Sequence, residues 1–430
     1  MRRTQVNNFP AISIQSWLTS KLLHFKAVDA ARLYLKQTKQ TREANKAVSR
    51  VPIQILIDVS VLVQHDAGTG IQRVVRTVWE KLTECSKGNK TYVVAPIYAT
   101  RKKSYRYVNV ETNEKTNDMV KVNPGDVFLG LDWSAHLLTA NEATLCHWKK
   151  MGVSLNFVLY DFLPLSNPEW FTPQTVKKFK NWLKTISIYA DGILCISNTV
   201  KSDIAQWFAV NCKHENTPKL DVFPLGGDFF ETNKGDVAVS DHRPHQIWDR
   251  LKGRNFVLTV GTLEPRKGHA ETLMAFDVLW QKKVDITLVL VGQKGWGTEV
   301  TQEKIKLHPE LGRHLFWLHD ANDSLLHCLY EKCTGVIVAS KGEGYGLPVI
   351  EALSHKKYIL VRDIPVFREI TQKSANQVTF FNSSEADDYS SSIRNWYDKA
   401  CLKTECFPDY QTNTWRDSAE QLLKLMLIKT

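Results

Sequence analysis

The chain of 430 residues has no run of 18 apolar residues and no short apolar segment of secretory-leader form, so nothing in it reads as a membrane span or a signal peptide. Its eight cysteines are scattered and never spaced Cys-x-x-Cys. That argues against a zinc ribbon or a redox pair, and suits thiols buried as small hydrophobes in a reducing cytoplasm. No internal repeat or low-complexity tract stands out, although the polar stretch 383–392 reads as a loop. Neither a zinc knuckle nor an aromatic strand signature accompanies the basic residues, so the net charge of +11 does not read as nucleic-acid binding.

The charge is unevenly spread. Residues 1–50 carry ten basic residues against two acids, a local charge of +8 that accounts for most of the total. In this segment Ile14, Trp17, Leu18, Leu22, Phe25 and Val28 recur at helical spacing with Lys21 on the flank. A basic amphipathic helix of this form suits an anionic membrane surface, and equally suits packing against the body of the chain or a partner.

The rest of the chain alternates apolar runs with helical patterns. Ile53–Asp58 reads as a first strand, followed by the loop Asp66-Ala67-Gly68-Thr69-Gly70 and a helix from Ile71 to about Cys85, with Arg73 and Arg76 on its opening turns. Gly68 and Gly70 leave room for a diphosphate or an acceptor, or serve a plain turn. Asp126–Gly130 and Val153–Leu159 are further strands, the second delivering Tyr160 and Asp161 at its end. Asp161 suits a site carboxylate acting on a hydroxyl, or a cap for the turn before Pro164. Ser197, after the run Asp191–Ile196, is expected to cap the next helix. The polar stretch 231–249 separates this half from a second alternating series. The division is therefore a basic extension 1–50, a first domain 51–230, a linker 231–249, a second domain 250–410 and a terminal amphipathic helix within 411–430. With this length each domain can bury a core of its own. The fold class is α/β, with two Rossmann-like doubly wound domains.

The second half carries the chemistry. Thr334–Ser340 reads as a buried strand, and behind it comes Glu343-Gly344-Tyr345-Gly346-Leu347-Pro348-Val349-Ile350-Glu351. Gly344 and Gly346 let backbone approach a ligand, Pro348 suits the first position of a helix, and amides at that helix start suit an anion. Glu343 falls in the loop and Glu351 in the first helical turn, so both carboxylates can face one crevice. Upstream, the strand Asn255–Thr259 runs into Val260-Gly261-Thr262-Leu263-Glu264-Pro265-Arg266-Lys267-Gly268, a glycine turn with a basic pair at the mouth of a helix. Arg266 can fork onto a phosphate and Lys267 can add a point charge.

The nine-residue run resembles the Glu-x7-Glu signature of retaining glycosyltransferases of family 4, and the glycine and Arg-Lys string resembles that family's diphosphate-holding motif. The resemblance extends along most of the chain. It implies the GT-B architecture, two Rossmann-like domains facing a cleft, with the last helix crossing back to the first domain. It also implies a nucleoside-diphosphate sugar donor, with GDP-mannose and UDP-hexoses both open, and a glycan or polyprenyl-linked glycan acceptor in surface polysaccharide synthesis at the inner face of the cytoplasmic membrane. By resemblance Asp161, Arg266, Lys267 and Glu343 are the catalytic group. Gly68, Gly70, Gly261, His319, Asp320, Gly344, Tyr345, Gly346, Leu347 and Glu351 complete the donor site, Glu351 on the ribose and 318–321 beside the base. Tyr160 departs from the histidine that precedes the acid in many members. There is no Asp-x-Asp, the pair that holds a metal in the other large glycosyltransferase fold, so neither metal nor cofactor is expected. The alternatives are an inactive sugar-nucleotide sensor on the same fold, or a nucleic-acid-binding protein.

Overall fold

The computed structural model describes residues 52–212, 217–228, 248–402, 407 and 413–427. The tail 1–50 and nearly all of the stretch 231–249 lie outside the described residues. The described chain forms two sheets. The first contains β1 (Ile53–Asp58), β2 (Tyr92–Tyr98), β3 (Arg106–Val108), β4 (Lys115–Met119), β5 (Val127–Gly130), β6 (Ser154–Leu159), β7 (Gly192–Cys195) and β8 (Lys219–Val222), in the order β4-β3-β2-β1-β5-β6-β7-β8. It is parallel except for the β2–β3 and β3–β4 pairs at one edge.

The second sheet contains β9 (Phe256–Val260), β10 (Thr287–Val291), β11 (Leu315–Leu318), β12 (Gly335–Val338), β13 (Tyr358–Arg362) and β14 (Val378–Phe381). Its order is β11-β10-β9-β12-β13-β14, parallel throughout. This is the doubly wound 3-2-1-4-5-6 arrangement, in which chain direction across the sheet reverses between β9 and β12. The corresponding reversal in the first sheet lies between β1 and β5.

Alternation along the strands explains why both faces are covered. In β1, Ile55 and Ile57 enter one apolar cluster while Leu56 enters the opposite one. In β9, Phe256 and Leu258 face one cluster and Val257 the other. Successive side chains point to opposite faces, so a strand apolar at every position demands helices on both sides.

The helices that bear on the cleft are α1 (Gly70–Ser86), α2 (Pro173–Tyr189), α3 (Asn198–Asn211), α4 (His269–Gln281), α5 (Asp323–Lys332), α6 (Leu347–Ser354), α7 (Pro365–Ile370) and α8 (Trp415–Leu427). A capping box starts α1, where Thr69 accepts from the Gln72 amide and Gln72 reaches back to the Thr69 amide. Ser197 caps α3 by accepting from the Val200 amide at 3.1 Å. The polar stretch expected as a loop at 383–392 instead opens the helix Ala386–Leu402, because Tyr389, Ile393 and Trp396 recur on one buried face.

Although α8 follows the second sheet in sequence, it packs on the first domain. Trp415, Ala419, Leu422, Leu423 and Met426 join the cluster that holds Val75, Val78 and Leu82 of α1. Its start is fixed by Asp228, which accepts from the Trp415 amide at 2.7 Å, and Ser418 donates to the Pro224 carbonyl at 2.6 Å. Gly226 makes this docking possible, since a Cβ there would fall on the Trp415 backbone. Gly226→Ala should therefore destabilise the chain by about 1–3 kcal/mol, the usual cost of overpacking. A lowered midpoint in urea unfolding is the expected result, and an unchanged midpoint would show that this contact does not hold α8 in place.

Candidate functional site

The carboxyl ends of the two sheets face each other, and the loops at the second sheet's reversal point carry the charged groups. Glu343 follows β12 and Arg266 follows β9, neighbouring strands by topology. The Glu343 carboxylate accepts from Arg266 Nη1 at 2.7 Å through one oxygen and from Lys267 Nζ at 2.5 Å through the other. Arg266 also donates from Nε to Glu264 at 2.9 Å and from Nη1 to the Gly342 carbonyl at 3.1 Å. Burial opposes the charge on Glu343, but the two cations outweigh it and hold the carboxyl at about 2. The backbone supports this arrangement. Gly268 (φ 72°) starts α4 in the left-handed region, where a Cβ would meet the Ala339 carbonyl oxygen at 2.5 Å.

Asp161 comes to the same place from the first domain. Its Oδ1 accepts from the Leu163 amide at 3.1 Å, so it caps the turn as well as reaching the cleft. Burial pushes its carboxyl up, Arg266 draws it down, and Glu343 and Glu264 push it up again. Gly344 permits this approach, because a Cβ there would collide with the Tyr160 carbonyl and stand 3.1 Å from the Asp161 Cβ. The Tyr160 side chain points elsewhere. Its hydroxyl donates to the Leu131 carbonyl at 2.7 Å within the first domain's core.

Glu351 lies one turn into α6, not in its opening turn, and is only 1% exposed. It accepts from Tyr330 of α5 at 2.7 Å and from Arg73 of α1 at 3.0 Å. Burial pushes its carboxyl up against the pull of these two partners. The Arg73 pair joins the two domains, and further bonds do the same. Ser197 donates to the Gly344 carbonyl at 2.8 Å, Tyr345 to the Leu225 carbonyl at 3.0 Å, and Ser354 to the Gly227 carbonyl at 3.4 Å.

The structure thus brings Asp161, Arg266, Lys267, Glu343 and Gly344 together. Gly70 faces the same crevice, where a Cβ would stand 3.8 Å from Leu347 Cδ1, and Gly261 sits beside the Lys267 side chain. Gly346 (φ 105°) begins α6 against Phe367. Gly68 (φ 63°) is exposed, with open space about it. His319 and Asp320 stand exposed at the end of β11, which β10 and β9 separate from β12. Sequence reasoning missed Glu264 and the pairing of Arg73 with Glu351. Glu264 lies inside the Arg-Lys string, where a carboxylate two residues before an arginine was a usable signal. Nothing local links Arg73 to a partner 278 positions away. Among the described residues no group of three or more His, Cys, Asp or Glu is arranged to hold a metal ion.

The acid dependence of folding follows from Glu343. Its folded value of about 2 lies below the ordinary 4.5, so its ionised form favours the folded state. That contribution, on the order of 3 kcal/mol, is complete above the unfolded value and fades as pH falls through the folded one. Glu343→Gln should therefore unfold more easily than wild type at pH 7, with the gap closing as acid approaches pH ~2. A gap that stays constant on acidification would contradict the ion cluster.

Comparison with known proteins agrees with this geometry. Residues 242–406 match the family model described as Glycosyl transferases group 1. Over 423 residues the chain is 33% identical to the serotype-specific mannosyltransferase WbdA of Escherichia coli, a match covering 95% of this chain and 49% of the relative. The chain thus spans about half the length of the curated WbdA relatives it matches. The O-antigen chain mannosyltransferase RfbU of Salmonella typhimurium is 24% identical over 237 residues, 55% of this chain and 59% of the relative. Two solved structures share the fold. WaaG, a glycosyltransferase involved in lipopolysaccharide biosynthesis, superposes with a TM-score of 0.54 at 12% identity, covering 87% of this chain and all of that one. Anabaena HepE in complex with UDP and glucose gives 0.52 at 15% identity, covering 87% and 95%. The two facing Rossmann-like sheets are the GT-B architecture, and the stretch 242–406 is a glycosyl transferases group 1 domain.

Proposed function

We propose that the chain is a retaining, metal-independent glycosyltransferase that moves mannose from GDP-mannose to a hydroxyl of a growing surface glycan. The observation that carries this reading is the buried Glu343 carboxylate clasped by Arg266 and Lys267 and faced by Asp161. Mannose and the glycan setting are supported by the relatives WbdA, a serotype-specific mannosyltransferase, and RfbU, an O-antigen chain mannosyltransferase.

The chemistry follows from charge. When the bond between the anomeric carbon and the diphosphate breaks, positive character develops on the carbon and negative charge on the leaving phosphate. Arg266 and Lys267 supply two fixed positive charges at that phosphate, aided by backbone amides near Gly346 and Leu347. Before the donor arrives Glu343 keeps both cations in place. On binding, the diphosphate takes a share of them and Glu343 turns to the sugar hydroxyls. Glu351 gives up Arg73 to receive the ribose. The acceptor hydroxyl attacks the face the phosphate leaves, its proton passes to the departing phosphate oxygen, and the anomeric configuration is kept. Asp161 holds the sugar hydroxyls at the reacting face.

Thermal melts with GDP-, UDP-, dTDP- and ADP-sugars test the donor, since a ligand bound to the native state raises the midpoint. GDP-mannose should give the largest rise, and a larger rise with another nucleotide would overturn that choice. Arg266→Ala should lower kcat roughly 100-fold or more, whereas Glu351→Ala should chiefly weaken GDP binding, by about 1.5–3 kcal/mol in calorimetry. Transfer should survive EDTA with retained configuration by proton NMR. Activity that needs added Mg²⁺, or an inverted product, would contradict the mechanism. The basic tail 1–50 supports action at an anionic membrane face, and a tail-deleted chain that sediments with anionic liposomes as well as the full chain would remove that part.

A further inference from the structure

Three aromatic side chains from both domains meet beside the charged cluster, and nothing in the mechanism above uses them. Trp170 and Phe171 follow Asp161 by one short helical segment, and Trp296 lies in the loop after β10. The Trp170 ring lies against Gly342, the second residue before β12's Gly344 turn and the direct neighbour of Glu343, where a Cβ would meet its Cζ3 at 2.7 Å. Trp296 donates from Nε1 to the Trp170 carbonyl at 2.9 Å, and its ring lies 6.3 Å from that of Phe171 at an interplanar angle of 33°. Trp296 remains 37% exposed, so part of its ring is left for a ligand to cover.

Phe171 also lines a groove of about 570 Å³ that runs along α2, with Lys177, Lys180 and Asn181 on its wall. That volume falls in the range of small-molecule sites, roughly 300–1,000 Å³. Rigid aromatic faces beside amine and amide groups are the chemistry of carbohydrate recognition. The apolar face of a pyranose packs on a ring, and its hydroxyls accept from ammonium and amide donors.

We propose that Trp296 and Phe171 form the platform for the terminal sugar of the acceptor glycan, and that the groove along α2 holds the sugars behind it. This rests on the glycosyl-transfer reading and adds to it the path of the acceptor. The terminal hydroxyl is thereby presented to the cleft between Asp161 and Glu343, while the chain leaves along the first domain. Lys177 and Asn181 read hydroxyl positions, and Trp296 closes the platform only when the two domains are together.

The test separates stacking from a simple clasp between domains. Trp296→Ala, Trp296→Phe and Lys177→Ala are compared with wild type for transfer from GDP-mannose to a panel of labelled mono- to tetrasaccharides, and for GDP affinity by calorimetry. Trp296→Ala should raise the acceptor KM about tenfold, with GDP affinity within about twofold of wild type. Trp296→Phe keeps a ring but loses the bond to the Trp170 carbonyl, and should stay within about threefold of wild type. Lys177→Ala should raise the KM for tetrasaccharides more than for monosaccharides. An unchanged acceptor KM in Trp296→Ala overturns the proposal. So does a Trp296→Phe variant as impaired as Trp296→Ala, which would mark Trp296 as a clasp. If wild type extends no member of the panel the groove assignment fails as well. Retained GDP binding would then leave the donor half of the proposed function standing, and lost GDP binding would remove it.

Discussion

A carboxylate almost wholly removed from water stays ionised only if nearby cations return more than its lost hydration, and Glu343 meets that condition through Arg266 and Lys267. The cluster ties the loop after β9 to the loop after β12 at the point where the second sheet reverses direction. Both glycine turns, the start of α4 and the path to α6 are set by it. Its charge does not balance within itself. Glu264, Glu343 and Asp161 face two cations, and the Asp161 carboxyl is pushed up chiefly by burial, against the pull of Arg266, with the other two carboxylates adding a smaller push. The same push reaches α3, where Asp203 is raised to about 6 by burial and by Asp161.

The cluster matters for function because the two domains close over it. Glu369 of α7 accepts from the amides of Asn198 and Thr199 at 2.7 and 2.9 Å, capping α3 across the interface with a charge that suits that helix end. Arg73 and Glu351 form a second tie on the side of α1. The two ties differ in kind. Glu369 satisfies backbone amides that no other described group caps, whereas Glu351 holds a side chain that a ligand can replace. In the proposed mechanism donor binding replaces the Arg73–Glu351 tie and leaves the Glu369 tie in place, so the two domains stay together.

Much of this was legible in the chain. The strands β1, β5, β6, β9 and β12 appear as short, mostly apolar runs, because a sheet covered on both faces favours apolar side chains at nearly every position. The strings around Glu343 and Arg266 were legible because every group they need is local: the turn, the helix start and the side chain lie within nine residues. Features that depend on distant partners were not. Nothing in the sequence told that Arg73 would meet Glu351, that Tyr160 would turn inward to Leu131, or that α8 would need a glycine at 226. The edge strands β3 and β4 escaped notice because β4, Lys-Thr-Asn-Asp-Met, is polar and exposed, with no apolar face to mark it. His319 and Asp320, assigned by resemblance to the base end of the donor, lie at the end of the edge strand β11, three strands from β12 and Glu343.

The central claim is that the Glu343 cluster is the place where a nucleotide sugar's diphosphate is held. A crystal structure with GDP-2-deoxy-2-fluoromannose, which resists transfer, tests it most directly. The account predicts the diphosphate on Arg266 and Lys267, the sugar against Glu343, and the ribose on Glu351 with Arg73 displaced. A diphosphate bound elsewhere, with both cations still closed on Glu343, would contradict it.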